Sequence, residues 1–128
     1  MGGADRSTVL IVDDDWRGRE LVRAVLEPLP LVVVAEATNG AEAVWRAREL
    51  QPDLVTIDLE MPVVDGVAAT RAIRQLSQAA VIIVSGNEDN ERADAAIAAG
   101  AHAFVAKANL ADELPALVRR LLANPSAS

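Results

Sequence analysis

Apolar residues along this chain follow two alternating patterns, which together predict five strand and helix units. Short apolar runs rich in β-branched residues predict buried strands, whereas apolar residues three and four apart predict one face of a helix. Strands that are apolar throughout and separated by helices indicate an α/β fold with a parallel sheet covered on both faces. Right-handed crossovers make such a sheet doubly wound. The predicted strands are Thr8–Val12, Leu31–Ala35, Asp53–Asp58, Ala80–Ser85 and His102–Ala106.

A helix is predicted after each strand. The first ends at Pro28 and Pro30, the second spans Ala41–Leu50, the third runs from its cap Asp65 to about Leu76, and the fourth spans Asn90–Ala99. The buried faces of the first two are expected to include Leu21 and Leu50. In the fourth helix Ile97 is the one bulky apolar residue, so we expect weak anchoring. Pro115 is expected in the first turn of a last helix that begins near Asp112, unless that turn is distorted.

Charged or polar residues directly follow four of the predicted strands. They are Asp13 with Asp14, then Asp58, Ser85 and Lys107. The carboxyl ends of parallel strands meet at one edge of the sheet, where open α/β sheets bind ligands. Three carboxylates, a hydroxyl and an ammonium gathered there favour a magnesium and phosphoryl site. Lys107 is the only lysine among 12 basic residues, and a compact point charge suits that role.

Composition narrows the class of protein. A chain of 128 residues with 52% apolar residues predicts one globular domain, residues 8–122, with flexible ends at residues 1–7 and 123–128. The net charge of −7 argues against direct binding to nucleic acid or anionic lipid. No cysteine is present, no apolar run approaches the ~18 residues of a membrane span, and no export signal precedes the first strand. We therefore expect a cytoplasmic protein without membrane contact.

Four segments together resemble the receiver domain of two-component response regulators. They are residues 9–14 (VLIVDD), residues 52–66 with their Met-Pro and Asp-Gly pairs, residues 83–85 (IVS) and residues 100–107 (GAHAFVAK). The resemblance covers about Thr8 to Leu122. It implies a single flavodoxin-like (βα)5 domain with strand order 2-1-3-4-5. It also implies a signalling domain and not an enzyme, one that accepts a phosphoryl group from a sensor histidine kinase and loses it slowly by itself.

The resemblance assigns a role to each residue of the site. Asp58 is the phosphoryl acceptor, and Mg²⁺ is held by Asp13, Asp14, Asp58 and the backbone carbonyl of Glu60. Ser85 and Lys107 contact the transferred group. Asp15 is expected to cap the first helix and to stay outside the metal set. Alternatives remain for single residues, since Asp13 and Asp14 could cap a helix and Ser85 could form a turn.

Three further positions match family positions that act in switching or set the lifetime of the phosphoryl group. Phe104 corresponds to the aromatic switch position that moves with Ser85, although a packed core phenylalanine is an equal alternative. Glu60 and Asn87 lie two residues after Asp58 and Ser85, where the family tunes dephosphorylation, and simple solvation is the alternative. Helix four, strand five and helix five form the expected output surface, for a separate target or a homodimer. Residues 100–107 look most like receivers of the LuxR class, whose DNA-binding domain would lie outside this chain.

Two other classes of protein remain as alternatives. A phosphatase of the haloacid dehalogenase type uses similar residues, but its nucleophile follows the first strand, with a second aspartate two residues later. The other alternative is a pseudo-receiver, which binds a partner without phosphorylation and would not need the intact phosphorylation site that this sequence has. Among the remaining residues, Trp16 is expected on the rim of the site, Trp45 partly exposed, and His102 on the surface and not acting as a ligand.

Overall fold

A computed structural model describes residues 6–59, 61, 64–86 and 90–123. The five strands are β1 (Ser7–Val12), β2 (Leu31–Ala37), β3 (Leu54–Ile57), β4 (Ala80–Ser85) and β5 (Ala103–Ala106). They form one sheet of order β2-β1-β3-β4-β5, and all neighbouring pairs are parallel. The flavodoxin-like order predicted from the resemblance is thus confirmed. Since the order reverses between β1 and β3, the carboxyl ends of these two strands flank a crevice.

Helices cover both faces of the sheet. They are α1 (Trp16–Leu26), α2 (Gly40–Leu50), α3 (Gly66–Leu76), α4 (Asn90–Ala98) and α5 (Leu110–Ala123). One apolar core lies under α1 and α5 and includes Val22, Leu26 and Leu114. The other lies under α2, α3 and α4 and includes Ala47 and Ile73. None of the described helices is long and apolar enough to cross a membrane.

Two predicted core leucines lie outside the core. Leu21 is 42% exposed and Leu50 is 43% exposed, so the prediction that they are buried was wrong. The buried stripe of α1 passes through Val22 and Leu26, four residues apart, and Leu21 falls one position to the side. Leu50 is the last residue of α2, directly before the left-handed cap residue Gln51, where the chain leaves the helix. Trp45 is 51% exposed, as predicted.

The start of α5 also differs from the prediction. A short 3-10 turn over Lys107–Asn109 precedes the helix, which begins at Leu110 and not near Asp112. Pro115 therefore lies beyond the first turn, inside the helix. Because proline has no N–H, the helix loses one backbone hydrogen bond at that position. The peptide bond after Lys107 is trans, as expected without a following proline.

Helix α4 is held by less apolar surface than the other helices. Ala96 is its only buried side chain among those described, and it has no exposed area. The predicted weak anchoring is confirmed, but Ile97 is 45% exposed, so the expectation that this residue supplies the anchoring was wrong. An alanine buries far less apolar area than the valine and leucine of α1, so packing fixes α4 only weakly.

Candidate functional site

Three carboxylates converge where β1 and β3 end. Asp13 and Asp58 directly follow these strands and are 3% and 8% exposed, whereas Asp14 is exposed. The Asp13 N–H donates to Ala37 O at 3.1 Å, and the Asp58 N–H donates to Val12 O at 3.0 Å. One oxygen from each of Asp13, Asp14 and Asp58 lies within 4.8 Å of the others. The sheet thus brings together Asp14 and Asp58, which are 44 positions apart in the sequence.

The Asp13 carboxylate is fixed on both of its oxygens. Its Oδ1 accepts the N–H of Asp15 at 2.9 Å, and its Oδ2 lies 3.0 Å from Lys107 Nζ. Gly18 in α1 leaves room for this carboxylate, since a Cβ there would overlap Asp13 Oδ2. A residue with a side chain at position 18 would therefore force Asp13 to move.

Lys107 lies between the two buried carboxylates. Its ammonium is 3.0 Å from Asp13 Oδ2 and 3.6 Å from Asp58 Oδ2. Burial of the ammonium by itself would lower its pKa, but the hydrogen bond to Asp13 and the charge of Asp58 outweigh burial, and the pKa of Lys107 is raised. The lysine therefore stays charged at neutral pH and partly offsets the repulsion among the carboxylates.

Asp15 caps α1, as predicted. Its Oδ1 accepts the N–H of Arg17 at 3.0 Å, and its backbone is extended, as expected of a cap residue. That backbone hydrogen bond is the main reason why the pKa of Asp15 lies below its ordinary value. With its carboxylate engaged by the helix, Asp15 is not among the three clustered acids.

Ser85 and Phe104 occupy neighbouring strands beside the acidic cluster. Ser85 ends β4, is 2% exposed, and pairs in register with Ala106, the residue before Lys107. Phe104 pairs with Ile83, is half-buried, and packs against the core under α2, α3 and α4. Glu60 and Asn87, the other two predicted site residues, lie outside the described residues.

Two arginines near the site were missed by the sequence analysis. Arg19 Nη1 donates to Asp13 O at 2.9 Å, and its Nε pairs with Glu36 Oε1 at 2.7 Å. Arg92 Nη2 donates to Leu59 O, one residue after Asp58, at 2.7 Å. Glu36 gave a usable signal for Arg19, because a charged residue stands there in an otherwise apolar strand. Arg92 gave none, since its partner is a backbone atom.

Two residues expected near the surface have different environments. Trp16 is the first residue of α1 and is 63% exposed, two positions after Asp14. His102 is half-buried, and its Nδ1 accepts the N–H of Val81 at 3.0 Å, so its prediction as a plain surface residue was wrong. That hydrogen bond extends the contact between β5 and β4 to the residue directly before β5.

The donor set suits a hard divalent cation. All three clustered ligand groups are carboxylates, and histidine and cysteine are absent from the cluster. Mg²⁺ prefers such oxygens and commonly binds only one or two carboxylates while keeping water ligands. A second positive charge would also relieve the repulsion that Lys107 leaves uncompensated.

Comparison with known proteins agrees with this fold and acidic site. The response regulator receiver domain family matches residues 9–119, so the chain belongs to that family. Chemotaxis protein CheY of Bacillus subtilis is 39% identical over 115 residues, which are 89% of this chain and 96% of CheY. A protein-glutamate methylesterase of Geobacter sulfurreducens is 40% identical over 100 residues, and the chain spans only 27% of its length.

Solved structures give the same assignment. A LuxR-family two-component response regulator from Aurantimonas superposes with a TM-score of 0.85 and 35% identity, covering 93% of this chain and 86% of that one. The receiver domain of sensor histidine kinase PA1611 from Pseudomonas aeruginosa, solved with a magnesium ion in its active site cleft, has a TM-score of 0.80 and 26% identity. It covers 91% of this chain and 97% of the other. The chain is therefore a receiver domain of the response regulators.

Proposed function

We propose that this receiver accepts a phosphoryl group on Asp58 from a sensor histidine kinase, with Mg²⁺ as cofactor. The observation that carries the proposal is the placement of a nearly buried Asp58 carboxylate beside Lys107 and two further aspartates. A carboxylate beside an ammonium and a bound divalent cation can act as a nucleophile toward phosphorus, because these positive charges neutralise the incoming phosphoryl oxygens.

Asp13, Asp14 and Asp58 would hold the ion, with the backbone carbonyl of Glu60 as a further ligand. The clustered oxygens of the three aspartates support this set, as does the magnesium ion in the Pseudomonas aeruginosa receiver. When bound, Mg²⁺ supplies positive charge next to the phosphoryl oxygens and aligns them for in-line transfer. The side chains of Asp13 and Asp14 would otherwise repel the incoming phosphate.

In the transfer, an oxygen of Asp58 attacks the phosphorus of a phosphohistidine. The P–N bond breaks, its electron pair goes to the imidazole nitrogen, and Asp58 becomes an acyl phosphate. Lys107 Nζ, 3.6 Å from Asp58 Oδ2, would pair with a phosphoryl oxygen. The Ser85 hydroxyl would donate to another phosphoryl oxygen, since Ser85 ends the strand between those of Asp58 and Lys107.

The signal would leave through α4, β5 and α5. Movement of Ser85 toward the phosphoryl group would open space for the half-buried ring of Phe104 to turn inward, and weakly packed α4 could follow. The changed surface would bind a target protein, a second copy of the chain, or a DNA-binding domain like that of LuxR-class regulators. Glu60 and Asn87 would set how fast water removes the phosphoryl group.

The experiment is intact-mass measurement after incubation with acetyl phosphate and Mg²⁺. The wild-type chain should gain one phosphoryl group, and Asp58→Asn should gain none. Asp94→Asn, which makes the same chemical change at an exposed position of α4, should be labelled like the wild type. A wild-type chain that takes no label under any donor would contradict the proposal and favour a pseudo-receiver. Repeated turnover of a phosphate ester without stable labelling would favour a phosphatase.

A further inference from the structure

A hydrogen bond joins α4 to the loop that follows Asp58. Arg92 Nη2 donates to the Leu59 carbonyl oxygen at 2.7 Å, and the contact is partly buried. The same oxygen accepts the N–H of Gly66, the first residue of α3, at 3.1 Å. Because the guanidinium is charged, its hydrogen bond is stronger than a neutral one. The Leu59 carbonyl is therefore held by α3 and α4 at once.

The backbone of Asp58 and Leu59 has little freedom on the side that faces α3. A Cβ built on Gly66 would lie 2.5 Å from Asp58 O and 2.7 Å from Leu59 Cα, so the start of α3 packs directly on the backbone of these residues. Leu59 directly follows Asp58, whose carboxylate is one of the three clustered acids. A movement of the Leu59 backbone would consequently be passed to Asp58.

The position of α4 depends on this hydrogen bond more than the position of a well-packed helix would. Ala96 is the only buried side chain among those described in α4, and Ile97 is 45% exposed. By contrast, α1 buries both Val22 and Leu26. With so little apolar area to fix it, α4 takes its position to a larger extent from polar contacts such as that of Arg92.

We propose that Arg92 is a positioning residue that couples α4 to the backbone of Leu59 and Asp58 at the proposed cation site. It orients the backbone of Leu59, and with it Asp58, for the cation, and cation binding in turn orders the N-terminal half of α4, because coupling between two sites is reciprocal. Arg92 acts through Leu59 and makes no contact with the phosphoryl group in this role. The inference rests on the proposed metal site, and it adds a connection from that site to α4 besides Ser85 and Phe104.

The test compares Arg92→Met with Arg71→Met in the unphosphorylated full chain. Arg71 is an exposed arginine of α3, so both variants lose one positive charge but only one loses the hydrogen bond. Mg²⁺ affinity is measured by calorimetry, and backbone protection by hydrogen exchange of α4 with and without Mg²⁺. Arg92→Met should raise the Kd for Mg²⁺ by about 10-fold, the lower end of the roughly 10- to 100-fold range expected when a group that orients a metal ligand is removed.

Hydrogen exchange gives a readout that does not require the variant to bind the ion. In Arg92→Met the α4 amides should exchange faster in metal-free protein, and Mg²⁺ should no longer slow them as it does in the wild type. Arg92→Lys keeps a charged donor and should show smaller effects on both measurements. Arg71→Met should match the wild type.

An Arg92→Met variant with wild-type Mg²⁺ affinity and wild-type exchange in α4 would overturn the inference. If that variant fails to fold, Arg92→Ala, which also removes the donor, is judged by the same criteria. Neither readout requires phosphoryl transfer. If Asp58 is not labelled but the Arg92 variants change Mg²⁺ affinity and α4 exchange as expected, only the proposed function is contradicted. If Asp58 is labelled normally but the variants change neither measurement, only the present inference is contradicted.

Discussion

The two edges of the sheet carry similar polar residues but use them differently. At the amino edge, Asp53 Oδ2 accepts the N–H of Thr8 at 2.8 Å, and His102 Nδ1 accepts the N–H of Val81 at 3.0 Å. At the carboxyl edge, Lys107 Nζ lies 3.0 Å from Asp13 Oδ2 and 3.6 Å from Asp58 Oδ2. At the first edge the polar side chains pair with neutral groups of the neighbouring strand, whereas the second edge gathers carboxylates around one ammonium.

This difference separates structural polar residues from functional ones. A side chain of the amino edge whose partners are neutral groups of the neighbouring strand contributes to stability, and its loss should leave ligand binding unchanged. Like charges held close together cost stability and persist where a ligand needs them. Substitutions at the amino edge should therefore change unfolding alone, whereas those at the carboxyl edge should also change the response to Mg²⁺.

The largest effect is expected for Lys107→Met in metal-free protein. Asp13 and Asp58 would lose their shared countercharge, and the free energy of unfolding should fall by about 1–2 kcal/mol, less than for a fully buried pair because the lysine is partly exposed. Urea unfolding with and without saturating Mg²⁺ measures this, and Mg²⁺ should stabilise the variant more than the wild type.

The matched control for Lys107→Met is Arg119→Met, which removes one positive charge from an exposed position of α5. It should unfold like the wild type at every Mg²⁺ concentration. Equal stability of the two variants without metal would show that Lys107 does not balance the buried carboxylates.

At the opposite edge, Asp53→Asn should affect stability alone. Asp53 Oδ2 also accepts the Thr8 hydroxyl at 3.2 Å, so loss of the carboxylate charge weakens two hydrogen bonds between β1 and the start of β3. We expect unfolding to become easier by about 1 kcal/mol and the Kd for Mg²⁺ to stay within twofold of the wild type. A large change in Mg²⁺ affinity would break the distinction between the edges.

Thr56, in the interior of β3, belongs to neither edge. It is 1% exposed, and its hydroxyl has no hydrogen-bond partner among the described residues. Thr56→Val keeps the shape and removes the unsatisfied group, so thermal or urea unfolding should show a gain of about 1 kcal/mol. Asp58 labelling should not change. A loss of stability would mean that the hydroxyl has a partner such as a buried water.

The smallest effect concerns pH at the amino edge. The pKa of His102 lies below its ordinary 6.5, chiefly through burial, with the charge of Arg74 adding to the effect. As pH falls below about 6.5 the unfolded chain takes up the proton first, so stability should decrease there and be recovered above that pH. A protonated ring also cannot accept the N–H of Val81.

The expected loss on acidification is under about 1 kcal/mol, since the ring is partly exposed. His102 is the only histidine, so the decrease between pH 7 and pH 5.5 should flatten in His102→Gln. An identical pH dependence in that variant would assign the decrease to carboxylates instead.

Much of the fold could be predicted from the sequence, because strands that are apolar along their whole length must be covered on both faces, which leaves few possible arrangements of the sheet and helices. The strand-end residues could be located for the same reason, since a parallel sheet brings its carboxyl ends together. Leu21 and Ile97 were misplaced because each lies one position beside a buried residue, a 100° rotation that a pattern of apolar letters resolves poorly.

The hydrogen bonds that Arg19 and Arg92 donate to backbone carbonyls could not be predicted, whereas the pairing of Arg19 with Glu36 had a signal in the sequence. Any residue can present such an acceptor, so the sequence around Asp13 or Leu59 holds no trace of the partner. The position of Pro115 was misjudged for another reason. A 3-10 turn at Lys107–Asn109 lets the helix begin early, and tertiary packing of Leu110 and Leu114 outweighs the lost hydrogen bond.

The most direct test of the central claim replaces Mg²⁺ with paramagnetic Mn²⁺, which favours the same oxygen ligands, and follows amide signals by NMR. Signals of the carboxyl edge, including Asp13, Asp14, Asp58 and Ser85, should broaden first, and those of Thr8, Val81 and His102 at the amino edge should persist. Asp14→Asn should weaken the effect. Broadening that is spread over the acidic surface, or that survives in Asp14→Asn unchanged, would contradict a single cation site at the carboxyl edge.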